Sequence, residues 1–597
     1  MTRTLASLRR QTARRVLVAV HVTAGTVAPH LPSQHSVRGA RHAGRWLHLT
    51  VPAGTTLEPT AVEKLAWCLL SVPRASGVWA VAQPCGACSS QEPQGGSGRV
   101  PGALLAIRVD AAAPVNLVHL PETLAWGNEA GSIDDTVVSR PRVAVCLAQA
   151  PHSTCRPGES LTFDPGPTVT VPGGRRLLLA VPWLALGGAD KFNLDAIRLL
   201  RERGWRVTIV TTLPGTDAWR QVFKEAGDEV FMLPRFVRLP DWPRLLAHLL
   251  RTRRPEALLS TNSEFTYHVL PAIRALAPDL RIADYCHMEQ EGWKNGGYPR
   301  LAALSQPFLD VSLVSTEHLR DWLIRRGVSP SRLRVLHTNV DTTYWAPSVE
   351  VRREVRHALG VGEDDVLLLF AGRLDPQKQP EVLARTLGRL RARGVAFTAV
   401  VAGDGPDEER LRRELDASGA AAATRLLGAV SNEEVRRLLQ ASDIFFLPSQ
   451  MEGLSLAIYE AMACGTCVVG AAVGGQPELV VRGTGVLVER GTPEDEVERY
   501  AAALERLIRE PRRRLAMARA ARARVVRHFP LEALGEQLHR VLSGGGKARL
   551  RRSRAATAVA AAHAHAAVEM TRLEGFLQAL WHEREAGRAA AASGGAG

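Results

Sequence analysis

Between residues 176 and 545, strand-like apolar runs alternate with helix-like runs in two successive series, and no other feature of the sequence restricts the fold so much. The first series has strand-like runs at 177–181, 206–211, 229–233, 257–260, 281–286, 311–314 and 334–336. The second has them at 366–371, 397–402, 425–427, 444–447, 468–470 and 486–488. Parallel neighbours need a crossover between them, and a helix of ten or more residues supplies it, so alternation at this spacing predicts parallel sheets with helices on both faces. The expected fold class is therefore α/β, with two doubly wound Rossmann-like domains facing a cleft. The first spans 176–343 and the second 344–545. In such sheets ligands bind outside the carboxyl ends of the strands.

The flanking regions read differently. Residues 1–44 are Arg-rich and lack acidic residues, which fits either an organelle transit peptide or, at 16–20, a first strand. Residues 45–150 read as a smaller α/β domain, with a strand at 46–51 and a helix at 60–70. Pro157-Gly158, Pro165-Gly166-Pro167 and Pro172-Gly173-Gly174 mark 151–175 as a linker. Residues 546–597 form a basic, Ala-rich tail with helical propensity over 555–587.

The 597 residues carry a net charge of +15, and this surplus of Arg favours anionic partners: a nucleotide donor, or peripheral contact of the tail with an anionic membrane. No basic stripe is interleaved with aromatics, so nucleic acid is not an expected partner. No apolar run reaches the roughly 18 residues of a membrane span. The expected location is soluble or peripheral, cytoplasmic by default, with organelle targeting left open. Eight cysteines do not make a disulfide framework in a chain of this length. Cys85-Gly86-Ala87-Cys88 is a single CxxC, and Cys464 and Cys467 straddle a helix end, so no metal site is expected.

Candidate chemistry gathers at the strand ends. Gly187-Gly188 forms the first strand-to-helix turn, where a missing side chain lets a ligand approach the backbone. In the second domain Arg373 ends one strand and Lys378 opens the next helix. An Arg fork and a Lys ammonium suit diphosphate oxygens. Gly403-Asp404-Gly405-Pro406 turns at another strand end. After 444–447, a loop holding Glu452, Gly453, Leu454 and Ser455 leads into a helix that carries Glu460. A helix N-terminus offers unpaired N–H groups to phosphate, and neighbouring carboxylates suit hydroxyls.

Taken in order, Gly187-Gly188, Asn339-Val340-Asp341, Gly372-Arg373-Leu374 with Lys378, Gly403-Asp404-Gly405-Pro406, Glu452 with Glu460 eight residues on, and Gly474-Gly475-Gln476-Pro477-Glu478 closely resemble the retaining glycosyltransferases of family 4, with the GT-B fold, over residues 176–545. The resemblance implies transfer of a hexosyl group from a nucleotide-diphosphate sugar to a glycan, lipid or protein hydroxyl, in carbohydrate biosynthesis, with no cofactor or metal. It further implies that Arg373 and Lys378 hold the diphosphate, Glu460 the ribose, and Glu452 and His287 the donor sugar. Gly453, Leu454 and Ser455 would supply N–H groups, with Gly187, Gly188, Gly403 and Gly405 lining the cradle. Two departures stand out: His337-Thr338-Asn339 replaces the usual Pro-Asn-Gly, and Cys467 replaces a Pro. Residues 45–150 resemble a family 2 glycosyltransferase of the GT-A type whose metal-holding carboxylates are missing, which implies a relic or docking domain.

Three other readings compete. A glycoside hydrolase would use Glu452 and Glu460 as acid and base. If both lay on one helix they would stand about 12 Å apart, beyond the ~5–9.5 Å such pairs span. A GT-B sugar-nucleotide epimerase would use the same phosphate cradle, and a non-catalytic scaffold would explain the degenerate first domain.

Overall fold

Apolar runs flanked by turn residues become strands, as their period requires. In the computed structural model the described residues are 174–185, 187–215, 218–544 and 561–577, together with Lys64 and the backbones of seven N-terminal strands. Cys85, Cys88, most of the expected 60–70 helix, the linker up to residue 173, and the basic run 547–554 lie outside the described residues. Two compact units share the chain. One comprises residues 1–185, 204–281 and 545–597, the other 186–203 and 282–544.

In the first unit, strands β1 (Val18–Thr23), β2 (Leu47–Pro52), β3 (Thr56–Leu57), β4 (Gly77–Pro84), β5 (Ala103–Arg108), β6 (Leu117–His119) and β7 (Ala125–Gly127) form a mixed sheet ordered β1-β2-β5-β4-β7-β3, with β6 on β4. β1 pairs parallel with β2 from Val18 on Leu47 to Thr23 on Pro52. Of the two readings open for segment 1–44, part of it is the first strand of this sheet, at Val18–Thr23 rather than 16–20. The same unit holds β8 (Arg175–Val181), β9 (Trp205–Thr211), β10 (Glu229–Met232) and β11 (Ala257–Thr261), parallel and ordered β10-β9-β8-β11.

The second unit holds β12 (Arg281–Cys286), β13 (Val311–Val314) and β14 (Leu333–Val335), paired in parallel, and the helix Gly188–Glu202. It also holds a six-stranded, all-parallel sheet of β15 (Leu367–Ala371), β16 (Thr398–Ala402), β17 (Thr424–Gly428), β18 (Ile444–Leu447), β19 (Cys467–Ala471) and β20 (Val486–Val488), ordered β17-β16-β15-β18-β19-β20. β15 and β18 read Leu-Leu-Leu-Phe-Ala and Ile-Phe-Phe-Leu without alternation because both faces are covered, and every residue in them is buried. The helix Leu456–Ala463, Leu-Ala-Ile-Tyr-Glu-Ala-Met-Ala, is apolar almost all round and packs inside this unit.

Asn339 adopts a left-handed backbone with φ 60°. Its amide donates to the Pro530 carbonyl at 2.8 Å, and the Val340 N–H donates to the Phe529 carbonyl at 3.1 Å. His337, the first departure from the family pattern, meets the Phe529 ring edge-on at 5.3 Å. The Cys467 substitution is absorbed by packing: Cys464 and Cys467 are buried free thiols, and burial pushes both up to about 12, which leaves them unreactive.

Candidate active site

Of the expected site residues, Lys378 with Glu452, Gly453 with His287, and Gly188 with Leu456 meet around the start of the helix Leu456–Ala463, whereas Arg373, Gly403 and Gly405 make their contacts with Asp375, Gly372 and Leu374. Ser455 is its N-cap residue, with extended backbone and no side-chain cap hydrogen bond. The N–H groups of Gly453, Leu454 and Ser455 meet no acceptor among the described residues. Three donors thus stand at the positive end of a helix, the arrangement that receives phosphate oxygens. Gly453 is required for packing as well: a Cβ there would lie 2.2 Å from the His287 carbonyl oxygen.

Lys378 and Glu452 form an ion pair, and both are largely buried, Glu452 at 7% exposure. Lys378 does not open the following helix, as its place in the sequence predicts. It lies in the turn before Gln379, the N-cap of the helix Pro380–Ala392, and its N–H donates to the Asp375 carbonyl at 3.0 Å. Arg373 projects into solvent, with 70% of its side chain exposed, and reaches Asp375 Oδ2 at 3.2 Å. Glu452 lies in the loop before the helix, so the helix-length argument against an acid/base pair with Glu460 does not apply. Pairing of Glu452 with Lys378 gives it a different electrostatic role.

Glu460 is 8% exposed, and no donor among the described residues reaches its carboxylate. Burial raises its pKa to about 8; Lys191 opposes that rise and Asp195 adds to it. Lys191 and Asp195, ion-paired at 2.8 Å on successive turns of the helix Gly188–Glu202, were not singled out by motif. Their i,i+4 spacing was the available signal. Gly188 begins that helix, and a Cβ on it would stand 3.6 Å from Leu456 Cδ1, an ordinary contact. Gly187 is its N-cap, in extended backbone.

His287 follows β12 and is half-buried. Its Nε2 is buried without a hydrogen-bond partner, and the ring meets Tyr285 and Phe192 edge-on at 4.7 and 5.2 Å. Burial lowers its pKa to about 4, so the ring is neutral near pH 7.

Gly403 and Gly405 have a reason to be glycine that involves no ligand. Both have positive φ, and a Cβ would fall 1.9 Å from the Gly372 oxygen and 2.3 Å from the Leu374 oxygen respectively. The Gly403 N–H is already engaged with the Gly428 carbonyl at 2.7 Å. Gly474 and Gly475 belong to the same class: added Cβ atoms would fall 1.8 Å from the Glu452 oxygen and 2.1 Å from Thr316 Cγ2. Glu478 follows them and does more than close the bend that its sequence context predicts. Its carboxylate accepts from the Glu317 and His318 N–H groups at 2.9 and 2.8 Å, at the start of the helix Glu317–Arg325. Burial works to raise its pKa, but the hydrogen bonds from His337 and those two N–H groups outweigh it and hold the carboxyl below its ordinary value.

Comparison with known proteins bears on the same stretch. A family model described as glycosyl transferases group 1 matches residues 351–524, and one described as glycosyltransferase family 4 matches residues 186–344. D-inositol 3-phosphate glycosyltransferase of Mycobacterium tuberculosis is 35% identical over 218 residues, or 36% of this chain. The match spans 44% of that relative's length. Among solved structures, Anabaena HepE in complex with UDP superposes with a TM-score of 0.52 at 19% identity, covering 62% of this chain and 99% of that one. Sucrose-phosphate synthase of Thermosynechococcus elongatus gives 0.50 at 18% identity, covering 62% and 98%. At these identities the structural likeness speaks to the fold. Among the described residues, no helix is long and apolar enough to cross a membrane.

Proposed function

We propose that this chain, which belongs to the family 4 glycosyltransferases and has their GT-B fold, transfers a sugar from a nucleotide-diphosphate donor to an acceptor hydroxyl, with retention at the anomeric carbon and without a metal ion. The observation that carries this reading is the helix start at Ser455, where three unengaged N–H groups stand beside the Lys378–Glu452 pair.

As the anomeric C–O bond breaks, negative charge develops on the departing diphosphate. Gly453, Leu454 and Ser455 N–H groups, the Arg373 guanidinium and the Lys378 ammonium are the preorganised partners for it. In the free chain Lys378 is neutralised by Glu452, so an arriving diphosphate shares that ammonium and leaves Glu452 an oxygen to offer a sugar hydroxyl. His287, neutral near pH 7, adds a ring nitrogen beside the donor sugar. Glu460 accepts from the ribose hydroxyls. The acceptor oxygen bonds to the anomeric carbon on the face the diphosphate leaves, and its proton passes to the departing phosphate oxygen.

The test combines release of nucleoside diphosphate with the anomeric configuration of the product by NMR, in buffer containing EDTA. D-inositol 3-phosphate, named in the relative above, is the first acceptor to assay. Arg373→Ala and Lys378→Ala are each expected to lower kcat by about 100-fold or more, the scale for removing a preorganised donor to developing charge. Arg373 is the cleaner site, because its exposed side chain contributes little to folding, whereas Lys378→Ala also strands a buried carboxylate. Unchanged turnover in both variants would sink the assignment. An inverted product would remove retention alone, and full loss of activity in EDTA would remove metal independence.

A further inference from the structure

A second cluster of titratable groups lies in the first unit, on residues that the transferase reading does not use. Glu264 and His268 sit four residues apart on the helix Glu264–Leu276 and so share one face. Glu574, on the helical segment 561–577, comes to the same point. His268 Nε2 stands 3.6 Å from Glu264 Oε1 and 3.9 Å from Glu574 Oε1. These separations exceed hydrogen-bond length, and Nε2 is buried with no hydrogen-bond partner.

One ligand atom from each residue falls within 4.8 Å of the other two. Ligands at about 2.1 Å from one ion are separated by about 3.4 Å at a tetrahedral angle and about 4.2 Å when opposite, so the observed spacing is that of three ligands around one cation, slightly open. We propose that Glu264, His268 and Glu574 bind one divalent cation of the zinc class, which fastens the helical segment 561–577 to the helix Glu264–Leu276. An imidazole nitrogen with two carboxylate oxygens suits zinc better than magnesium or calcium, which prefer all-oxygen sites.

The charges agree with the geometry. Burial alone would depress His268, yet Glu264 and Glu574 together raise it to about 9. Two carboxylates beside one imidazole supply the negative charge that a dication needs.

The experiment uses the full chain, stripped with EDTA, dialysed, and titrated with Zn²⁺ by calorimetry at pH 7.5, with hydrogen exchange followed over 561–577. One equivalent is expected to bind. Glu574→Gln, at a partly exposed position, is expected to weaken it at least about 100-fold, since even outer partners of metal ligands are worth 10- to 100-fold. His268→Ala is expected to abolish it. Zn²⁺ should slow exchange over 561–577 in the parent chain and in neither variant. Equal binding by all three proteins, or exchange over 561–577 that ignores Zn²⁺ in the parent chain, would overturn the proposal. The second outcome would mean that a proton on His268 bridges the carboxylates instead.

Discussion

Loss of solvent around Glu460 and His287 moves their pKa values in opposite directions. Between about pH 4.5 and 8 the folded chain keeps a proton on Glu460 that the unfolded chain has lost. Stability therefore falls as pH rises across that window, by at most about 1.4 kcal/mol per pH unit. Between pH 6.5 and about 4 the unfolded chain takes up a proton on His287 that the folded chain refuses, so there stability falls as pH drops. The two slopes cancel where the windows overlap, between about 4.5 and 6.5. Denaturant midpoints of the parent chain should then be nearly level in the overlap, on account of this pair, and decline from 6.5 to 8. Glu460→Gln should give midpoints that climb from pH 4.5 to 6.5 and then hold. Superimposable curves for the two proteins would contradict this. The residue types of the site were legible in the sequence, because loop, glycine and carboxylate positions recur in order. Their pairings were not: Lys378 and Glu452 lie 74 positions apart, and no local period reports such a contact.

Elements were the most legible level. Strand-like runs of three to six residues gave β8 to β20 within two positions at each end, most of them because parallel strands buried on both faces announce themselves by composition. β1 was harder to read, since an Arg-rich flank gives the same signal as a targeting segment. What strand periodicity cannot say is why a strand ends in glycine. At Gly403, beyond β16, the answer is the Gly372 carbonyl beyond β15. Gly403→Ala places a Cβ into that oxygen at a φ of +145°, and is expected to cost about 2 kcal/mol or more of stability by strain and displaced backbone. Urea unfolding measures it. A variant with unchanged stability but weakened nucleotide binding would return Gly403 to the ligand cradle.

At the scale of the whole molecule, the unit that carries the candidate active site is assembled from distant stretches of chain. The helix Gly188–Glu202 belongs to it, and so does the helix Leu531–Leu542, which packs against it so closely that a Cβ on Gly535 would stand 2.8 Å from Leu199 Cβ. A chain ending at residue 544 should keep its thermal stabilisation by nucleoside diphosphate, while one ending at residue 530 should lose most of it; both are read by melting with and without ligand. Equal stabilisation would mean that the Leu531–Leu542 helix is dispensable to the site. Because the chain enters this unit at 186, leaves at 204 and returns at 282, its contacts span more than three hundred positions. During synthesis the Gly188–Glu202 helix emerges long before its partner. It can meet Tyr285 and His287 only after the intervening stretch has been made, and the Leu531–Leu542 helix later still, so closure of these long loops favours slow folding of this unit, with the early helix uncovered on that side while it waits.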